Sequence, residues 1–266
     1  MTRVVSVLLS LLLCSAFTGA ARAGAIDRAL LSLFCAPKAI AGATCKDAKS
    51  YPNFRGDRCD VKLSEKRQQG RFVDPGKPLL IVSYGSECEP HATDWGGSVL
   101  FEQTGRGYVF RGYQPGMQVD ECMIAGQAGG LDVLVCLTGH MGQGFLETAV
   151  ARVGFKGRAR IEMSYDFLLT ASDSTGAYTS NVVTCSEQFK YFGLSRLAAG
   201  PRPGTVVAQA DYADSDTITK ACAKGFPIPK DAQDYEIAPG EAFVPNPYVK
   251  SGSVLIDIFR RTVTLR

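Results

Sequence analysis

The sequence predicts an all-β protein: a mainly antiparallel meander with a short N-terminal helix, built as a β-propeller-like fold or a β-sandwich. Two observations predict it. From Pro78 onward, short runs rich in Val, Ile, Phe and Tyr follow one another ("LLIVSYG", "GSVLFEQ", "GYVFRGYQ", "VDECMIA", "LDVLVCLT"). Glycines separate them at intervals too short for crossover helices, which favours hairpins over βαβ units. A weak echo adds the propeller option: "GKPLLIVSYG" and "GGLDVLVCLTG" each frame an apolar strand with glycines, and a second strand follows.

Residues 1–23 read as a secretory signal peptide. Arg3 precedes an apolar run of 14 residues, Val4 to Phe17, and Ala21 and Ala23 occupy the small-residue positions of a cleavage site. The run is short for a membrane span, and no later segment is apolar enough for one. Cys14 follows three leucines and lacks the small preceding residue of a lipid-modified cysteine. Export implies a periplasmic or secreted location. Cleavage after Ala23 removes two arginines and no acid, so the formal charge falls from +3 to +1. A near-neutral chain gives no electrostatic case for nucleic acid.

Residues 24–77 read as a helix followed by an irregular, cysteine-rich lead-in. "AIDRALLSLFC" places Ile26, Leu30 and Leu33 on one helical face from about Asp27, with Ala29 and Phe34 flanking. Pro37 ends the helix, because the residue before a proline is driven out of helical geometry. Residues 78–266 form the β-rich domain. "FLETAVARV" fits a helical face but is read as a strand, since glycines close it at both ends. Further strands are expected near Ser180–Cys185, Thr205–Ala210 and Ser253–Leu265. Five prolines in residues 225–248 predict an extended surface segment.

Eight cysteines remain after cleavage, and an even count in an exported chain favours disulfides. One pair is legible. With a hairpin turn centred on Gly129, Cys122 faces Cys136, Ile124 faces Leu134, and Gly126 faces Asp132, leaving Gln127 to Leu131 as the loop. Opposed residues in a non-hydrogen-bonded pair lie within reach of a disulfide. A redox pair would need a C-x-x-C spacing, which is absent, and a zinc site would need clustered Cys and His. The pair is therefore expected to be a structural staple. Leu131–Leu137 is apolar on both faces, which predicts a central strand buried on both sides.

No catalytic residues, metal site or cofactor site follow from motifs. "GRFVDPGKP" misses the phosphate-loop spacing, and Pro78 stands where a Ser or Thr is needed. "GLSRL" around Ser195 lacks the second glycine of a nucleophile turn. Asp211, Asp214 and Asp216 are close in sequence but match no calcium loop. His140 sits in a glycine-rich hairpin tip. The expected ligand-binding residues are His91, Asp94 and Trp95, on a loop between strands that offers an imidazole, a carboxylate and an aromatic platform. The resulting expectation is an exported binding or envelope-associated module whose partner is an unknown ligand or envelope protein. The alternatives are a secreted hydrolase using the same loop, and a purely structural disulfide-stabilised envelope protein.

Overall fold

A computed structural model describes residues 26–46, 48, 59–86, 96–142, 145–173, 191–213 and 250–266. The signal peptide, the loop carrying His91, Asp94 and Trp95, the strand expected near Ser180–Cys185 and the proline-rich segment lie outside them. The chain forms two compact units. One comprises Met1–Gln69, Lys77–Asp120 and Gly157–Glu162; the other comprises Gly70–Gly76, Glu121–Lys156 and Met163–Arg266. Among the described residues no helix is long and apolar enough to cross a membrane.

The first unit opens with a helix over residues 26–31, which gives way to turns through Phe34 and a 3-10 turn at Pro37–Ala39. Its buried face differs from the expected one. Leu30 and Leu31 are fully buried while Ile26 and Leu33 are exposed. Helical periodicity fails because the helix stops at residue 31, and the following turns swing Phe34 inward instead. The Phe34 ring packs 5.5 Å from both Phe110 and Tyr113. Two short strands, β1 (Ile40–Ala41) and β2 (Thr44–Cys45), follow, and a Cys35–Cys45 disulfide ties the turn after the helix to β2. Cys59 is also disulfide-bonded.

Four longer strands complete the sheet: β3 (Val61–Asp74), β4 (Lys77–Gly85), β5 (Gly96–Thr104) and β6 (Gly107–Pro115). The order β1-β2-β3-β4-β5-β6 is a plain meander. β3 corrects the expectation of irregular structure through residue 77. Its buried positions, Val61, Leu63 and Phe72, flank a stretch of charged and polar residues that hides the alternation. The near-miss phosphate loop is the β3–β4 turn, where the Gly76 N–H donates to Asp74 Oδ1 at 2.8 Å.

The second unit holds an eight-stranded meander, β7 (Cys122–Ala128), β8 (Leu131–Gly142), β9 (Phe145–Lys156), β10 (Glu162–Asp173), β11 (Tyr191–Ala199), β12 (Thr205–Ala213), β13 (Lys250–Asp257) and β14 (Thr262–Leu265). "FLETAVARV" is a strand, as expected. The segment expected as one strand, Ser253–Leu265, is a hairpin. β10 and β11 share the pair Asp173↔Tyr191, after which β11 turns away. The Leu194 N–H is then given to Thr148 Oγ1 of β9 at 2.9 Å, and a bulge between Ser195 and Ala198 holds Arg196 at φ 53. The sheet thus folds over on itself in a sandwich-like way. Val133, Val135, Val150 and Ala171 from one half meet Leu194, Val206, Ala208, Val254 and Ile256 from the other. Six- and eight-stranded meanders are not the four-stranded blades of a propeller, so the internal echo reflects hairpin repetition.

Cys122 and Cys136 are bonded, with Cα atoms 4.0 Å apart. The pairs Cys122↔Cys136 and Ile124↔Leu134 match the expected register, but Gly126 faces Val133 rather than Asp132. The difference has a clear cause. The turn uses only Gly129 (φ 58) and Gly130 (φ 79), the left-handed pair of a two-residue hairpin, so the strands pair closer to the tip than expected. A bulge between Ile124 and Gly126 absorbs the extra residue and restores the register at the cysteines. β8 is buried on both faces over Val133–Cys136, but it stands second from the sheet edge rather than at its centre.

Candidate functional site

The loop singled out in the sequence leaves β4 at Gly85 and re-enters β5 at Gly96, and these two residues face each other across the strands. His91, Asp94 and Trp95 lie outside the described residues; the neck that carries them is fully described. β4 reads as an unbroken buried run from Leu79 to Tyr84, and β5 is buried from Gly96 to Glu102. One face, with Leu80, Val82, Tyr84, Val99 and Phe101, joins the core under the helix. The opposite face places Ser83 and Ser98 as a directly opposed, fully buried pair.

Two buried hydroxyls need partners, and the segment after β6 supplies them. Ser98 Oγ donates to Met117 O at 2.6 Å, and Ser83 Oγ accepts the Val119 N–H at 2.9 Å. Gln118 Nε2 adds a bond to Tyr84 O at 3.2 Å, and the Gly116 N–H donates to Gly96 O at 2.8 Å. Residues 116–119 therefore strap both strands at the mouth of the loop. The glycines after Trp95 are steric necessities there. A Cβ on Gly96, which has φ 136, would lie 1.9 Å from Tyr84 O, and one on Gly97 would lie 2.2 Å from Gln114 O.

At the far end of the same strands is a buried charge pair that the sequence reading missed. Glu102 is only 8 % exposed and accepts from Arg111 Nη2 at 2.9 Å and Nε at 3.2 Å, with Lys77 Nζ at 3.9 Å. A bulge explains the contact. Leu100 pairs with Gly112 and Phe101 with Phe110, so Arg111 is the extra residue, turned towards Glu102. The available signal was a single charge inside each of two apolar strands, "VLFEQ" and "YVFRGY". The Glu102 carboxylate is thus held by the Arg111 fork.

Burial alone would raise the Asp132 carboxyl, but the Arg71 N–H at 2.7 Å, the Gln127 amide and the Arg71 guanidinium outweigh it and hold it below its ordinary value. Within the second unit, the same Gly70–Gly76 segment also stacks the Phe72 ring on that of Phe155 at 4.9 Å. Burial pushes the Tyr165 hydroxyl up to about 12. His140 is exposed on β8, opposite Glu147, rather than in a hairpin tip. Asp211 accepts from Ser251 Oγ, while Asp214 and Asp216 lie outside the described residues. Among the described residues no three His, Cys, Asp or Glu side chains are grouped to hold a metal. No protein-family model, curated protein or solved structure matches the chain.

Proposed function

We propose that this chain is an exported binding module, periplasmic or secreted, whose ligand or envelope partner is engaged by the 86–95 loop through His91, Asp94 and Trp95. One observation carries the reading: the two strands that lead into and out of the loop are over-built for a plain connection. Both strands beneath it are buried on both faces, and four hydrogen bonds from residues 116–119 fix its mouth. Binding groups are disproportionately found on loops positioned by a rigid scaffold, because rigidity lowers the ordering cost of recognition. The disulfides of both units fit an oxidising compartment.

Trp95 is the only tryptophan of the chain, so its emission reports on this loop without interference. The test is to titrate the mature protein with fractions of the native envelope and follow that emission. The expected result is a saturable change with one fraction, lost in Asp94→Ala and His91→Ala while the thermal midpoint stays put. Saturable capture of an envelope component that survives loss of all three side chains would overturn the assignment of the site. Turnover of a component in the active fraction, abolished by His91→Ala, would favour the hydrolase instead.

A further inference from the structure

The last strand, β14, is an edge with unclaimed bonding capacity and a self-complementary pattern. Ser253 and Arg266 exchange both N–H···O bonds, at 3.1 and 2.8 Å, which fixes the ladder phase between β13 and β14. With the pairs Leu255↔Thr264 and Asp257↔Thr262, this turns the backbone groups of Thr262, Thr264 and Arg266 towards β13. The N–H and C=O groups of Val263 and Leu265 point away from the sheet, and among the described residues nothing takes them. The same two residues leave their side chains 42 % and 50 % exposed. They share a face with Val254 and Ile256, which are buried in the core. The apolar inner face of the sheet therefore continues onto an edge with open hydrogen-bonding groups.

We propose that β14 pairs antiparallel with β14 of a second copy of this chain, about a twofold axis at Thr264. That register sets Val263 opposite Leu265 of the second copy and Leu265 opposite its Val263. Both are hydrogen-bonded pairs, so every outward group of β14 is used. Each also joins two apolar side chains on the face that is now open. Shifting the axis to Val263 would bring Leu265 against Arg261, which stands at φ 55 in the preceding turn and cannot extend the ladder. Shifting it to Leu265 breaks both Val263–Leu265 pairings. Charge supports the same register. The other face carries a row in which Asp257 lies beside Thr262, and Thr262 faces Arg266 of the second copy. The long arginine crosses the small threonine to reach Asp257, whose Oδ1 is already committed to the N–H groups of Phe259 and Arg260. The symmetry is isologous and closes at two copies.

An edge pairing of this length is small beside standard interfaces, so a weak dimer is expected, half-formed at about 10–100 µM. Sedimentation velocity on the oxidised mature protein should show a concentration-dependent rise towards twice the monomer mass. Leu265→Pro removes one outward N–H without touching the β13 ladder, and Val263→Lys places a charge on the shared face; each should leave a monomer with an unchanged thermal midpoint at low concentration. Register is tested separately. Thr264→Cys places two thiols opposite each other in a non-hydrogen-bonded pair, the geometry that Cys122 and Cys136 already occupy, and should cross-link the dimer on mild oxidation. Val263→Cys should cross-link far less. A monomer at every concentration, or a dimer indifferent to Leu265→Pro and not cross-linked through Thr264→Cys, overturns the proposal.

Discussion

The two edges of the eight-stranded sheet are managed in opposite ways. At one end, β7 is stapled to β8 by Cys122–Cys136, is kinked by a bulge, and has the Ala125 carbonyl taken by the Gly204 N–H at 2.8 Å. At the other end, β14 has no bulge, no staple, and two outward-facing residues with apolar side chains. Hydrophobicity does not separate them, since Ile124 on β7 is also exposed, at 39 %. What separates them is whether the outward hydrogen-bonding groups are claimed. The bulge and the β11–β12 turn claim the Ala125 carbonyl of β7 and kink the strand, which is one way natural sheets avoid edge-to-edge association. Among the described residues, nothing claims those of Val263 and Leu265 on β14.

Breaking the staple tests how much of the protection at β7 is covalent. Replacing both Cys122 and Cys136 with alanine should cost about 3 kcal/mol on the loop-entropy account, given a sequence separation of 14. Calorimetry should then show the melting temperature lowered by about 6–12 °C for a chain of this size. The pairing at β14 should be untouched, because it lies at the far edge of the sheet. A melting temperature that does not move would mean that the bulge and the Gly204 contact fix the β7 register without the disulfide.

A smaller effect is expected from the second lock on β7. Gly204 holds φ 78 in the β11–β12 turn, and its carbonyl accepts the Ile258 N–H at 3.0 Å. A Cβ there would lie 2.4 Å from the Phe259 ring. Gly204→Ala should cost about 2 kcal/mol, combining left-handed strain and overpacking. Urea unfolding of the double variant with Phe259→Ala separates the two. The penalty of Gly204→Ala should shrink in that background but not vanish, since the backbone strain stays.

The same contrast governs what could be read from the sequence. The β7–β8 hairpin was legible because its turn is written in residue types, two glycines between apolar runs, and its cysteines fix the phase. The β13–β14 hairpin was not. Its turn, "DIFRRT", has neither glycine nor proline: the Asp257 carboxylate captures the N–H groups of Phe259 and Arg260, and Arg261 takes the left-handed conformation. Side-chain capture of this kind leaves only an aspartate as its trace. β3 was hidden for another reason: a strand whose middle is solvated need not alternate. At the site, the straps from Gln118 and Val119 were not legible, because they join residues more than thirty positions apart.

The smallest expected effect concerns how each edge is rooted. β7 is held covalently, whereas the turn leading into β14 is held by charge. Asp166 of β10 accepts two bonds from Arg261 Nη1, at 2.9 and 2.8 Å, and one from Arg152 Nη2 at 2.7 Å. Arg261 is the main reason that the Asp166 carboxyl lies below its ordinary value of 3.8; burial opposes the shift and Arg152 adds to it. A depressed folded-state value means that the native protein takes up this proton less readily than the unfolded chain. The contribution to stability is therefore complete above pH 3.8 and is lost as the pH falls through the lower, folded-state value. All three side chains are about a third or more exposed, so solvent screening limits the cluster to about 0.5–1 kcal/mol. Asp166→Asn should lower the urea midpoint slightly near neutral pH, and the gap to the wild type should close in acid and in high salt. The double cysteine variant should show no such closure, because its loss is not electrostatic. A gap for Asp166→Asn that persists unchanged in acid would show that the residue roots the β14 turn by packing rather than by charge.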